Sequence, residues 1–351
     1  MTILWKKIED IKQLSSLTEQ WTRLNGEFND DCLFTSPYWV LNWHEIFWQD
    51  NWHLYTFAAY KDNELIALLP FYYQKLNTYW SQNQLFFLGQ GEEECTEVAS
   101  EYLDILFNPK YTAPVNKFCA DLITDSNFDT FNARAIKKDA NILKIAPQNA
   151  LVQNGSQYYV KPNNWQENCL SKNTKSKLRR SKNRLTSSKA EFTWVAAREQ
   201  EKYWNLMADL HQKRWIKLGQ KGAFSDHRFN KFHTRLRQSQ QHEQSAMSAI
   251  LIEGGVIAIH YYLKDQNNLY YYQGGWDEEE CKHLSPGFNL HVWSIENCST
   301  YVYDFMMGSV NNSYKSSFNS EKKELYDISM INKPFKHLFL KVIQKVFLSN
   351  V

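Results

Sequence analysis

The chain has 351 residues, 43% hydrophobic and 22% charged, with a formal net charge of +2. This mix excludes a disordered chain, and the near-neutral balance excludes binding of nucleic acid by bulk charge. The six cysteines are scattered, without CxxC or Cys/His ligand spacing, so no zinc or other metal is expected, and a reducing cytoplasm suits them.

Aromatic residues reach 15% against only 12 glycines, which points to a packed, ring-rich core. The opening stretch MTILWKKIEDIKQL has no long apolar region, so a signal peptide is not expected. No apolar run reaches the roughly 18–20 residues of a membrane span.

In chain order, residues 3–8 read as a strand and residues 11–24 as a helix with Leu14, Leu17, Trp21 and Leu24 on one side. Ser36-Pro37 reads as the N-cap and first residue of a helix through Trp39, Trp43 and Phe47. Strands at 53–60 and 64–74 flank a turn at Lys61-Asp62-Asn63, an expected hairpin. Further strands are expected at 84–88 and 102–107, then a helix and short strands over 111–160.

The polar stretch Val160-Lys161-Pro162-Asn163-Asn164 suggests a boundary, giving units 1–160 and 161–351. A basic helix is expected at 168–187, a strand at 192–195 and a long helix at 199–218 carrying Trp204, Met207, Leu210, Trp215 and Leu218 near one face. A hairpin over 247–263 turns at Glu253-Gly254-Gly255. A central strand at 269–273, a helix from Ser285-Pro286 to about Cys298, a strand at 301–305 and a last helix at 334–348 complete the reading. The fold class is therefore α/β (α+β), with mixed, mostly antiparallel sheets flanked by helices.

The halves echo each other. Asn63-Glu64-Leu65-Ile66-Ala67-Leu68 matches Gly254-Gly255-Val256-Ile257-Ala258-Ile259. Each is followed by an aromatic strand ending in glycine, at Gly89 and Gly274, and then by a strand with an acid, Asp104 or Asp304. A duplicated α/β unit explains this order.

The segment Tyr303-Asp304-Phe305-Met306-Met307-Gly308, followed by Tyr314-Lys315, concentrates the chemistry. Asp304 at a strand end is positioned to deprotonate or orient an attacking amine or hydroxyl, or else to accept backbone N–H bonds at the turn. Lys315 suits an acyl-transfer oxyanion or a phosphate, and otherwise a solvated loop. Ser285, Gly287 and Phe288 open a helix whose free amides suit an anion, with Lys282 adding charge; a plain capped helix is the other reading. His260 lies on a strand face expected to line a cleft, or in the core. Arg214 offers an anion fork. Lys172 to Lys189 carries eight cations and no acid, among them Arg180, and reads as a phosphate-binding or solvated helix face. The stripe Phe335, Leu338, Phe339, Val342, Ile343, Val346 and Phe347 opposite Lys336, Lys341 and Lys345 suits docking on the protein body or resting on an anionic membrane.

The chain resembles the GNAT superfamily of acyltransferases. More narrowly it resembles the CelD/BcsL-type acetyltransferases of polysaccharide biosynthesis, relatives of the Fem-type peptidoglycan aminoacyltransferases. The resemblance rests on Phe34-Thr35-Ser36-Pro37-Tyr38-Trp39 with Trp43, Ile66 to Pro70, Lys177 to Arg180 with Asn183-Arg184-Leu185, and His211 to Trp215. Ser285-Pro286-Gly287 and Asp304 to Gly308 with Tyr314-Lys315 complete it.

It implies two tandem GNAT-like units, with the catalytic groups Asp304, Lys315 and Tyr314 in the second and Tyr314 protonating the leaving group. It implies an acyl-CoA donor, acetyl-CoA in first place, held at Ser285, Gly287, Phe288 and Lys282. The acceptor would be a small molecule or a glycan- or peptide-linked amine or hydroxyl, in a cleft between the units, contacted by His260, Arg214, Arg180 and Tyr272. Cell-envelope biosynthesis proteins are the implied partners, with a cytoplasmic location that includes the inner-membrane surface. The family's pyrophosphate loop has several glycines, whereas Cys281 to Asn289 has one. An aminoacyl-tRNA donor and a catalytically silent binding module therefore stand as alternatives; other nucleic acid is not expected, the cationic run lacking base-stacking rings.

Overall fold

The computed structural model describes residues 2–76, 81–93, 96–238, 244–279, 281–298, 301–311, 313–334 and 336. Apart from residues 334 and 336, the helix expected at 334–348, with its membrane-surface role, lies outside the described residues.

The chain forms two compact units, and their division differs from 1–160 and 161–351. The first takes the chain up to Gly91, Ala99–Asn154 and the chain from Leu325 onward; the second takes Glu92–Val98 and Gly155–Glu324. The sequence change at 160–164 marks the end of a strand, but two of the crossings, at Asn154/Gly155 and Glu324/Leu325, fall inside strands, which carry no compositional break.

In the first unit, β1 (Leu4–Ile8) leads to α1 (Ile11–Ser16) and α2 (Thr18–Phe28). These replace the single expected helix, because Asp10 caps the first turn and Leu17 interrupts it. α3 (Pro37–Phe47) starts as expected: Ser36 Oγ accepts from Trp39 N at 3.2 Å and Pro37 occupies the first turn. Trp21, Trp39 and Trp43 are fully buried. Trp21 Nε1 donates to Thr35 O and Trp39 Nε1 to Ser100 Oγ, so both indole N–H groups are satisfied.

The expected hairpin divides into β2 (Trp52–Leu54), β3 (Thr56–Lys61), β4 (Glu64–Leu69) and β5 (Phe71–Leu76). Asp62 and Asn63 both take positive φ at its tip, the backbone of a tight β-turn. Pro70 has no N–H to give a ladder, and there the hairpin divides between two sheets. β3 and β4 pair with β1 and β7 (Leu106–Phe107), while β2 and β5 join β6 (Gln82–Phe87). β6 runs parallel to β8 (Thr130–Lys137) through Gln84↔Thr130 to Phe86↔Asn132, with α4 (Thr112–Ile123) between them in sequence. Only the last two residues of the strand expected at 102–107 form one. Asp104 instead accepts backbone N–H bonds from Ile105, Asn141 and Ile142 and ties down loops.

The second unit uses β9 (Leu151–Val160) from Gly155 onward, α5 (Lys172–Ser187), β10 (Glu191–Trp194), α6 (Gln200–Lys217) and α7 (His227–Gln238). It continues with β11 (Ser245–Ile252), β12 (Gly255–Lys264), β13 (Asn268–Trp276), α8 (Pro286–Glu296) and β14 (Val302–Gly308). β15 (Glu321–Ile331) then carries the chain back toward the first unit's residues. Strand order in the second unit is β10-β11-β12-β13-β14-β9, all antiparallel except β13 with β14.

α5 starts at Lys172 rather than 168, where Ser171 Oγ accepts from Thr174 N. α7 was not foreseen. Its Phe229, Phe232 and Leu236 are buried. The apolar stripe of α6 holds at Trp204 and Met207 but ends in Leu218, which is 59% exposed.

Duplication of topology is real, but its acids do not correspond. Strand, helix and parallel strand read β6-α4-β8 in the first unit and β13-α8-β14 in the second, each with a three-residue parallel ladder. A bulge follows in each second strand, at Ala135 and Met306, both at positive φ. Aligned on the ladders Asn132, and aligned on the bulges Ala133, stands where the second unit has Asp304; Asp104 does so in neither.

β13 carries two consecutive glycines, Gly274 and Gly275, before its last residue, Trp276. A Cβ on Gly275 would lie 2.5 Å from Met207 O and 3.0 Å from Leu210 Cβ, both on α6. The missing side chain lets α6 lie directly on the strand. Gly275→Ala is expected to lower stability by about 1–3 kcal/mol, the range for overpacking a close contact, as measured by denaturant unfolding.

Candidate active site

The parallel ladder of β13 and β14 ends at Tyr270↔Asp304, while β13 runs on to Trp276. Beyond that point, a cavity of about 470 Å³ is lined by Arg214, His260, Tyr271, Trp276, Lys282 and Ser285, and by Pro286, Gly287, Phe288, His291, Tyr314 and Phe318.

Period-two alternation explains which strand residues reach it. His260, Tyr262 and Tyr271 share one face with His291 of α8; ring centroids of His260 and His291 are 4.2 Å apart, and those of Tyr271 and His291 4.4 Å. Tyr261 and Tyr272 point to the opposite face, among Trp204 and His233.

α8 begins without a side-chain cap. Ser285 has a left-handed backbone (φ 48°) and its side chain caps nothing, unlike the expected N-cap. Pro286 takes the first turn, and the amides of Gly287 and Phe288 have no carbonyl within the helix to bond. Gly287 and Phe288 sit in the wall of the cavity with Lys282 on the preceding turn and Arg214 from α6. Arg214 lies 5.8 Å from the Trp276 ring centre and 4.0 Å from Glu278. The lining therefore combines two cations, amides at a helix N-terminus and aromatic walls, and contains no carboxylate.

Burial sets the protonation states. It lowers His260 to about 3 and holds His291 well below its usual range, helped by the neighbouring His260 and Lys315. Both imidazoles are neutral near pH 7. His291 Nδ1 lies 2.7 Å from the Tyr303 hydroxyl. Burial also raises the Tyr271 phenol, and pushes Tyr314 up to about 12 although half its surface is exposed, the Arg214 charge acting in the opposite direction on both.

The other expected residues divide clearly. Tyr314, Ser285, Gly287, Phe288, Lys282, His260 and Arg214 line the one cavity; Asp304 and Lys315 do not. Tyr303 and Phe305 turn toward His291, so alternation sends Asp304 to the other face. It is fully buried, accepting from Gln157 Nε2 at 2.6 Å and from Met306 N at 2.7 Å. Lys315 Nζ donates to Phe305 O and Met307 O, at 2.5 and 2.6 Å, and to Met306 O at 3.3 Å. Both residues hold the β14 bulge, so the structure supports a bracing role for them in place of base and oxyanion stabiliser.

Arg180 is exposed on α5, its Nε bonded to Ser176 O, and Tyr272 donates to Val98 O; neither lines the cavity. Tyr271, Trp276, His291 and Phe318 were missed. The signal for Tyr271 was available: it is one position from Tyr272, on the strand face shared with His260.

Residues 172–316 match the Acetyltransferase (GNAT) domain model. No curated protein matches the chain. The fold is similar to that of FemX at 9% identity and a TM-score of 0.61, covering 95% of this chain and 99% of FemX. It is also similar to the C-terminal domain (DUF2156) of a putative lysylphosphatidylglycerol synthetase from Agrobacterium fabrum, at 9% identity, TM-score 0.55 and coverage of 93% and 95%. L-PGS from Bacillus licheniformis gives 11%, 0.54 and 96% of each chain. At these identities the likeness is one of fold.

Lys315→Met is expected to lower stability by about 1–3 kcal/mol, because carbonyls of the bulge lose their donor; chemical denaturation checks this. Acid should destabilise the protein. His260, His291 and the buried His233 bind protons less readily folded than at the ordinary value of 6.5. Their contribution is present above pH 6.5 and is lost as pH falls from there through the folded values. The slope adds about 1.4 kcal/mol per pH unit for each such group. Melting temperatures between about pH 7 and about pH 4 should therefore fall steeply, and less so in His233→Phe.

Proposed function

We propose that the second unit is an acyltransferase that moves an acyl group from a thioester donor, acetyl-CoA in first place, to an amine or hydroxyl. The observation that carries this is the convergence, within the segment matching a GNAT domain, of the α8 start at Gly287 and Phe288 with Lys282, Arg214 and Tyr314 on one cavity. Amides and cations suit the donor's phosphates. The aromatic walls suit its apolar arm. Tyr314, whose phenol stays protonated near pH 7, suits protonation of the leaving thiolate.

Nothing in this reading requires a metal, and among the described residues no His/Cys/Asp/Glu group could hold one. A polysaccharide- or envelope-related acceptor follows the CelD/BcsL resemblance, as do partner proteins of envelope biosynthesis. No helix among the described residues is long and apolar enough to cross a membrane.

A second reading, an aminoacyl-tRNA donor, draws on α5. Lys172, Lys175, Lys177, Arg179, Arg180 and Arg184 are exposed, Leu178, Ser181 and Leu185 face inward, and the helix has no acid. Arg184 Nη1 bonds His283 O, next to Lys282 in the cavity wall.

Binding separates the donors. Acetyl-CoA at saturating concentration should raise the melting temperature, by about 2–3 kcal/mol of linked stabilisation at a hundred times its Kd. Lys282→Ala and Arg214→Ala should each weaken that binding about tenfold or more. Stabilisation by aminoacyl-tRNA and none by acetyl-CoA would favour the second donor.

A further inference from the structure

His260 occupies β12 opposite Ser248 on β11 and Gly274 on β13. Its Nδ1 lies 3.2 Å from the Tyr262 hydroxyl. That hydroxyl donates to Ser294 Oγ at 2.8 Å, and Ser248 Oγ stands 2.9 Å from it and 3.2 Å from Ser294 Oγ. With its own proton directed to Ser294, the Tyr262 oxygen offers an acceptor to Nδ1–H. In that tautomer Nε2 keeps its lone pair.

Nε2 faces the start of α8. A Cβ on Gly287 would lie 4.0 Å from it and 3.6 Å from Trp276 Cδ1, so the missing side chain leaves space in front of the lone pair, beside the helix-start amides. Gly274 makes room on the strand side: a Cβ there would lie 2.6 Å from the Tyr271 hydroxyl and 3.0 Å from His260 Cδ2. The ring is thus held on one edge by buried hydroxyls and open to the cavity on the other.

We propose that His260 is the proton acceptor of acyl transfer, with Tyr262, Ser248 and Ser294 as positioning residues. The proposal rests on the thioester-donor reading above. As the acceptor oxygen or nitrogen bonds to the acyl carbon, its proton passes to Nε2. The carbon–sulfur bond breaks, and the leaving thiolate receives a proton from Tyr314, which His260 then restores. The titratable rings facing it are His291, Tyr271 and Tyr262, with Arg214 and Lys282 in the same cavity wall. Burial keeps the imidazole unprotonated until the oxyanion of the transition state forms beside it.

Diethylpyrocarbonate, which carbethoxylates neutral imidazole, tests the position of Nε2. His260 should be modified, and saturating acetyl-CoA should slow its modification about tenfold. Its rate should change less than about twofold from about pH 7 to about pH 5, while free N-acetylhistidine slows more than about tenfold. Gly287→Ala should shield it without lowering the melting temperature.

In turnover, thiol release from acetyl-CoA to water or hydroxylamine should fall about a hundredfold in His260→Gln, with stabilisation by acetyl-CoA retained. Tyr262→Phe should lower kcat about tenfold, leave KM for acetyl-CoA unchanged and alter the acid limb of the pH profile. Acetyl-CoA that stabilises the protein but does not shield His260, or His260→Gln with undiminished thiol release, overturns the assignment of His260 alone. Acetyl-CoA that neither stabilises the protein nor shields any histidine overturns the donor reading and the proposal with it.

Discussion

One ammonium group organises the second unit's site. Lys315 Nζ grips the carbonyls of Phe305, Met306 and Met307, where the β14 backbone bulges through a positive φ. These carbonyls belong to a bulge, where a ladder cannot pair every group, and buried polar groups without partners are costly. Asp304 completes the arrangement from the other side through Met306 N and Gln157. Because Lys315 is tied to the strand, its neighbours in the short helix Tyr314–Phe318 are tied as well. Tyr314 and Phe318 then fall into the cavity wall, and Trp165 Nε1 secures the far end by bonding Phe318 O. The acid and the amine brace the site, and the phenol and the rings face what would bind there.

The two units solve the same bulge differently. In the first, Ala135 N donates to Asp327 Oδ1, an acid on the partner strand β15. In the second, Met306 N donates to Asp304 on its own strand. One backbone problem, with a carboxylate acceptor each time, has been met from opposite sides of the ladder. A common architecture can therefore persist while the residues around it diverge.

Much of the fold was legible because periodicity is local. The β11–β12 hairpin, the Ser36-Pro37 helix start and the central strand β13 follow from alternation, caps and turn residues. The repeat was legible as an order of elements, but its acids were misaligned: Asp104 lies in a loop that merely precedes a short strand. The site was half legible. Types and approximate places were visible for Tyr314, Lys282 and Gly287, near turns, and for His260, in the middle of an alternating strand. The direction of Asp304 was not, since it depends on strand phase relative to the α8 face. His291 reads in sequence as one more residue on an apolar helix, and only the packing of α8 on the sheet brings it to His260.

β13 shows what this construction demands of its scaffold. Gly274 yields its volume to Tyr271 and His260, and Gly275 yields its volume to the backbone of α6. Adjacent positions on one strand thus serve opposite faces of the sheet. Glycine is the costliest residue to order. The stiffness of this stretch must therefore come from its neighbours, β12 alongside and α6 across it. A ligand that pressed Tyr271 or His260 toward the strand would meet a backbone with no side chain to cushion it. Displacement on the cavity side would pass directly to α6, which itself carries Arg214 back into the cavity.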